Sequence, residues 1–161
     1  MITQFDRLIP LLANAQVEFI IVGGAAAIAH GSARLTQDLD IVYRRTPKNI
    51  AALVEALSPH KPYLRGAPPG LPFRFDENTI AAGLNFTLTT ALGAIDLLGE
   101  ITGGGDFDAL LPHCITLQLF GVEVLCLGLK RLIEVKRAAG RPRDLEAIAE
   151  LETILEEKRN P

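Results

Sequence analysis

Two aspartates alternate with aliphatic residues in the run Asp38-Leu39-Asp40-Ile41-Val42. An alternating run of this kind is a strand, and on a strand residues two apart point to the same face. Asp38 and Asp40 therefore stand side by side, with Cα atoms roughly 7 Å apart. Neighbouring carboxylates repel and are costly unless something positive lies between them. A divalent cation suits that place, and hard oxygen ligands favour Mg2+ or Mn2+. What precedes the pair narrows the fold further. Phe19-Ile20-Ile21-Val22 is a short apolar run, the signature of a buried strand. It stops at Gly23-Gly24, and the small residues Ala25 to His30 have the composition of a closely packed helix. A polar loop, Gly31 to Gln37, leads into the aspartate strand.

The flanking segments read as helices and strands in alternation. Ile2 to Ala15 carries Phe5, Leu8, Ile9, Leu11 and Leu12 at near-helical spacing, with Pro10 expected to kink the helix. Thr46-Pro47 is a capping hydroxyl followed by proline at the first helical position, so a helix starts there and runs to about Leu57. His60 to Pro72 is dense in proline and glycine and reads as a solvated connector that carries Lys61 and Arg65. Asp76 caps a short helix, Glu77 to Ala82, that Gly83 terminates. Leu84 to Thr90 and Ala94 to Leu98 form a hairpin about Gly93. Ile115 to Leu119 and Val122 to Leu127 form another about Gly121. Gly103-Gly104-Gly105 is a flexible loop without the strand and the Gly-Lys-Ser/Thr of a phosphate-binding loop. Leu129 to Ala139 is a helix closed by Gly140, and Arg141-Pro142 opens a last helix from Asp144 to about Lys158. The expected fold is α/β (α+β): a small mixed sheet flanked by helices, with a C-terminal helical pair, in one domain over residues 1–161.

Length and composition agree with that picture. A chain of 161 residues supports one domain with a substantial core. With 48% hydrophobic and 22% charged residues it has an ordinary globular composition. The net charge of -3 argues against a general nucleic-acid coat or a membrane-surface binder. Cys114 and Cys126 lie in apolar strand segments and read as buried thiols in a reducing compartment. The absence of a long apolar span or a basic-plus-apolar leader leads to the expectation of a cytoplasmic protein with no membrane partner.

Asp96 interrupts a second apolar run, Ala94-Ile95-Asp96-Leu97-Leu98. A carboxylate among aliphatics is expensive unless it is paired, hydrogen-bonded or metal-bound. Asp38, Asp40 and Asp96 thus all break strand propensity, and local rules tend to break at functional positions. If their strands are neighbours, three carboxylates can hold two divalent cations, and such a pair about 4 Å apart clamps an in-line displacement at phosphorus. Gly23-Gly24 would let backbone N–H groups approach a triphosphate at a helix N-terminus. A lone Asp-x-Asp or a lone Gly-Gly is also found in ordinary strands and turns; the weight lies in their combination.

Val22-Gly23-Gly24, the small-residue helix, Arg34-x-Thr36-x-Asp38-Leu39-Asp40-Ile41 and the later Asp96 together resemble the nucleotidyltransferase superfamily of the DNA polymerase β type. Its pattern is an apolar residue, Gly, Gly or Ser, roughly ten residues, then Asp-x-Asp or Asp-x-Glu. The segment Lys136-Arg137-Ala138-Ala139-Gly140-Arg141-Pro142-Arg143-Asp144-Leu145 resembles the end of small bacterial members, including the toxin-type enzymes of abortive-infection and toxin–antitoxin systems. Gly31-x-x-Arg34-x-Thr36-x-Asp38 is similar to antibiotic nucleotidyltransferases.

The resemblance implies roles. Asp38, Asp40 and Asp96 would be the catalytic and metal-binding residues, with Asp96 helping to deprotonate the acceptor hydroxyl. Gly23, Gly24, Arg34, Thr36 and Lys136 would bind the nucleotide. The reaction implied is transfer of a nucleoside monophosphate from an NTP to a hydroxyl acceptor (tRNA, protein or small molecule), with release of pyrophosphate and dependence on Mg2+ or Mn2+. A cognate antitoxin or other partner protein is a further implied partner. Lys136 also suits the last turn of a helix, and Asp144 a first turn, on dipole grounds alone. The chain departs from the pattern at Gly24, where a serine would offer a hydroxyl, and within these 161 residues lacks the helical domain with which larger members grip an acceptor. The alternative is a nucleotide-binding or antitoxin-partner module that keeps the fold without turnover; an intact aspartate triad favours the enzyme.

Overall fold

The computed structural model describes residues 2–160. Helix α1 (Phe5–Asn14) comes first and runs unbroken through Pro10, with Leu8, Ile9 and Leu12 buried on its inner face. Strand β1 (Phe19–Val22) is buried at every position. Helix α2 (Gly23–Ala29) follows with no intervening loop, beginning at the glycines rather than after them. Strand β2 is Asp38–Tyr43. Thr46 caps α3 (Pro47–Leu57), its hydroxyl accepting from Asn49 N at 3.3 Å. A 3-10 turn, Ser58–His60, ends that helix.

The segment after His60 differs from the expected solvated connector. Tyr63–Leu64 form an edge strand, β3, and the Tyr63 side chain folds the chain beyond it. Its hydroxyl donates to Pro68 O and accepts from Leu71 N at 3.2 Å, and its ring meets Phe73 edge-on at 6.1 Å. An aromatic anchor replaces the hydrophobic periodicity that marks longer elements, so the pattern of prolines and glycines conceals it.

Asp76 caps α4 (Glu77–Ala82), accepting from Thr79 N at 2.8 Å. Strands β4 (Phe86–Thr90) and β5 (Gly93–Leu98) form the expected hairpin. A two-stranded ribbon, β6 (Glu100–Ile101) and β7 (Gly105–Asp106), encloses the glycine triplet. There the glycines permit close packing: a Cβ on Gly103, which has φ +76°, would collide with Ala138. A short helix, α5 (Phe107–Leu110), leads to the second hairpin, β8 (Cys114–Leu119) and β9 (Val122–Leu127). The chain ends with α6 (Leu129–Ala139), closed by Gly140 at φ 64°, and α7 (Pro142–Arg159).

Seven strands make a mixed sheet in the order β3-β4-β5-β2-β1-β9-β8. The centre carries the longer-range pairings: β1 is antiparallel to β2 and parallel to β9, and β2 is parallel to β5. This is the α/β architecture expected, a mixed sheet flanked by helices with α6 and α7 packed as a C-terminal pair. One apolar cluster links α1, the central strands, α3 and the terminal helices, with Leu8, Leu12, Ile20, Leu39, Ile41 and Leu53 fully enclosed. Asn49 locks α3 onto the sheet. Its side chain accepts from Glu18 N at 2.7 Å and donates to Glu18 O at 2.9 Å and Arg44 O at 2.8 Å. Cys114 and Cys126 are free thiols, and burial pushes Cys126 up to about 12. Among the described residues no helix is long and apolar enough to cross a membrane.

Candidate active site

The parallel register of β2 and β5 sets Asp40 directly opposite Asp96 and Asp38 opposite Ala94. Register partners share a face, and Asp38 shares it through the two-residue repeat. The three carboxylates therefore converge, each offering an oxygen within 4.8 Å of the others. Burial dominates the chemistry of Asp40 and Asp96. Loss of hydration, the charges of Asp38 and Asp96 and a hydrogen bond with Asp96 raise Asp40 to about 8, against an opposing pull from Arg65. Asp96 is raised as well, chiefly by burial. Asp40 therefore holds its proton more tightly than an ordinary carboxylate.

Gly23 explains how the backbone comes so near this cluster. Its φ is +63°, in the left-handed region, and any Cβ there would overlap Asp40 Oδ2. Gly24 lies against Thr36: a Cβ at position 24 would be 2.7 Å from Thr36 Oγ1. The space a serine would take is filled by the Thr36 hydroxyl, 3.2 Å from Asp38 O and 3.5 Å from Asp38 Oδ1. The helix that follows has only seven residues, so its dipole is a minor contribution and proximity is what the glycines supply.

A cleft opens over Asp40 and Asp96. Val22, Gly23, Asn85, Lys136 and Arg141 are among the residues that line it, with Leu132, Val135 and Ala139. Lys136 is half-buried; loss of hydration lowers its pKa, while Asp144 and Asp40 pull it back up. Arg141 is held by Asp144, which accepts from Arg141 Nε at 2.7 Å and from Arg141 N at 3.2 Å. Asp144 is almost wholly buried and acts as a helix-start residue, the reading the sequence suggested. Arg34 is not part of the cleft lining. It is exposed and pairs with Glu146 at 3.6 Å, although its charge is felt at Lys136.

Arg65, which the sequence places in a solvated connector, reaches the cluster. It follows β3 directly, and its Nη1 lies 3.5 Å from Asp38 Oδ2 while its Nη2 lies 2.8 Å from Asp96 Oδ1. Arg141, which the sequence presents as a helix start, lines the cleft too. No periodicity announces either residue, since each lies beside a proline- or glycine-rich junction.

The donors fit a hard divalent cation. Asp40 Oδ1 is buried and accepts no hydrogen bond; Asp96 Oδ1, likewise without an aligned hydrogen bond, has the Arg65 guanidinium beside it. Buried polar atoms of this kind call for a partner, and three carboxylates form an all-oxygen donor set suited to Mg2+ or Mn2+.

No family profile and no curated protein matches the chain. Solved structures do. TM1012 from Thermotoga maritima, a proposed nucleotidyltransferase, superposes with a TM-score of 0.57 at 12% identity, over 95% of this chain and 96% of that one. The likeness lies in the fold, which the two chains share from end to end.

Proposed function

We propose that this protein transfers a nucleoside monophosphate from an NTP to a hydroxyl acceptor and releases pyrophosphate. The observation that carries the reading is the convergence of Asp38, Asp40 and Asp96 within 4.8 Å, at a cleft that Lys136 and Arg141 also line. The nucleotidyltransferase-type fold supports it.

Asp38, Asp40 and Asp96 would hold the divalent ion, which when bound supplies Lewis-acid stabilisation of charge on the phosphoryl oxygens. The chain's own residues do the rest. Lys136 and Arg141 line the same cleft as Asp40 and Asp96 and would neutralise the triphosphate. Gly23 brings backbone to the edge of the cluster, where a side chain would exclude the phosphates. Thr36 fixes the start of β2 and holds Asp38 in place. Asp96, raised by burial, is suited to receive the proton of an acceptor hydroxyl. The acceptor class is a tRNA end, a protein hydroxyl or a small molecule, and a role in a toxin–antitoxin pair belongs to the same proposal.

The test is incubation of the protein with Mg2+, each labelled NTP and a cell extract. Transfer of label, with pyrophosphate released and with Asp40→Asn inactive, supports the enzyme. Tight nucleotide binding with no label moved and no pyrophosphate formed would replace it with the non-catalytic binding module.

A further inference from the structure

Among the described residues, Arg65 is the one cation in ion-pair contact with the triad. Its contacts are of two kinds. Toward the carboxylates, Nη1 reaches Asp38 Oδ2 and Nη2 reaches Asp96 Oδ1. Toward the sheet, Nη2 donates to Leu88 O at 2.7 Å and the backbone N donates to Thr87 O at 3.0 Å. The pairing of Leu64 with Leu88 fixes the residue immediately before it. The aligned hydrogen bond of Nη2 therefore goes to the β4 backbone, and its 2.8 Å approach to Asp96 is an ion pair. The guanidinium is seated by contacts that do not depend on the aspartates, so it belongs to the site's framework.

The opposite side of the cluster lacks such a partner. Asp40 Oδ1 is buried without a hydrogen bond, and among the described residues no side-chain cation lies in ion-pair contact with Asp40. Charge sets the count. Three ionised carboxylates are matched by one divalent ion together with the guanidinium in contact with them, before the charges of Lys136 and Arg141 in the same cleft are counted. A second divalent ion would leave the nucleotide-free cluster two charges in excess, in a half-buried place where imbalance is costly.

We propose that Arg65 is a resident cation of the site, standing at Asp38 and Asp96 in place of a second metal. The nucleotide-free protein then takes a single divalent ion, on the Asp40 side. This rests on the reading of the triad as a metal site, and it revises the two-ion arrangement that three carboxylates alone imply.

The experiment is a titration of nucleotide-free protein with Mn2+, followed by electron paramagnetic resonance of the free ion and by calorimetry, on wild type, Arg65→Met and Asp40→Asn. The expected result is one Mn2+ per wild-type chain, two per Arg65→Met chain, and none on Asp40→Asn. Two ions on the wild type overturn the proposal and leave the metal reading standing. One ion on wild type and Arg65→Met alike, with equal affinity, removes Arg65 from the role. No Mn2+ on the wild type overturns the metal reading and the proposal with it. Circular dichroism checks folding; if Arg65→Met does not fold, Arg65→Gln takes its place, and the wild-type stoichiometry tests the proposal without either variant.

Discussion

The backbone of Gly23 lies so close to the Asp40 carboxylate that residue 23 has no room for a Cβ, and its φ of +63° disfavours one independently. Strand β1 ends against β2 with Val22 paired to Asp40, which forces the next residue over the carboxylate. Gly23→Ala is therefore expected to destabilise the fold by about 1–3 kcal/mol, from the left-handed backbone and the overlap together. Divalent-ion binding should weaken with it, since Asp40 must move. Urea unfolding and Mn2+ titration of the variant check this; wild-type values in both would contradict the close approach.

Asp40→Asn keeps the shape of the side chain and removes its charge. Loss of a metal-stabilised transition state is worth several kcal/mol, so transfer should fall by about a thousandfold or more while the fold persists. Initial rates of pyrophosphate release measure the loss.

The same variant reports on the linkage between protons and stability. Asp40 is raised from 3.8 in the unfolded chain to about 8 in the folded one. A raised folded value means the native state keeps a proton the unfolded state releases. That contribution is fully present below about pH 4 and is lost as pH rises through about 8. Without metal, the stability of wild type relative to Asp40→Asn should therefore fall across this window. The difference between the two proteins is the quantity to follow, because His30 slopes the other way. Its pKa is lowered by burial, so its contribution is present above 6.5 and lost as pH falls below it. Thermal melts in a chelator from pH 4 to 9 suffice, and a flat difference would show that Asp40 is not held protonated.

Lys136→Ala should weaken triphosphate binding by about ten- to a hundredfold, the scale of one charge-assisted hydrogen bond. Arg34→Ala should change it by less than about fivefold, because Arg34 is exposed and already paired with Glu146. Calorimetry with a non-hydrolysable NTP and Mg2+ separates the two. Equal effects would place Arg34 in the cleft after all.

Asn49→Ala tests the scaffold apart from the site. It removes three hydrogen bonds and leaves the Glu18 backbone N–H and the Arg44 C=O short of a partner, while Glu18 O keeps the Arg44 N–H. The cost should be about 1–3 kcal/mol in chemical denaturation, with Mn2+ binding unchanged.

Much of this architecture is written in local pattern. The alternation of Phe86-Thr87-Leu88-Thr89 and Ala94-Ile95-Asp96-Leu97, the Thr46 and Asp76 caps and the Gly140 terminus each act through neighbours a few residues away. Asp38, Asp40 and Asp96 could be singled out for the same reason: an acidic residue inside an apolar strand is anomalous wherever that strand goes.

Period two placed Asp38 and Asp40 on one face, and that much the sequence determined unaided. Their meeting with Asp96 required β2 and β5 to be parallel neighbours in one register, a pairing between segments more than fifty residues apart. Tertiary structure alone brought Arg65 from the edge of the sheet to Asp96, turned Lys136 and Arg141 toward the same cleft and drew Arg34 away to Glu146. A long cationic side chain can satisfy itself almost anywhere on a surface, so its residue type says little about its destination. The partner within reach is settled only when the sheet order, and the burial it imposes on the carboxylates, is complete.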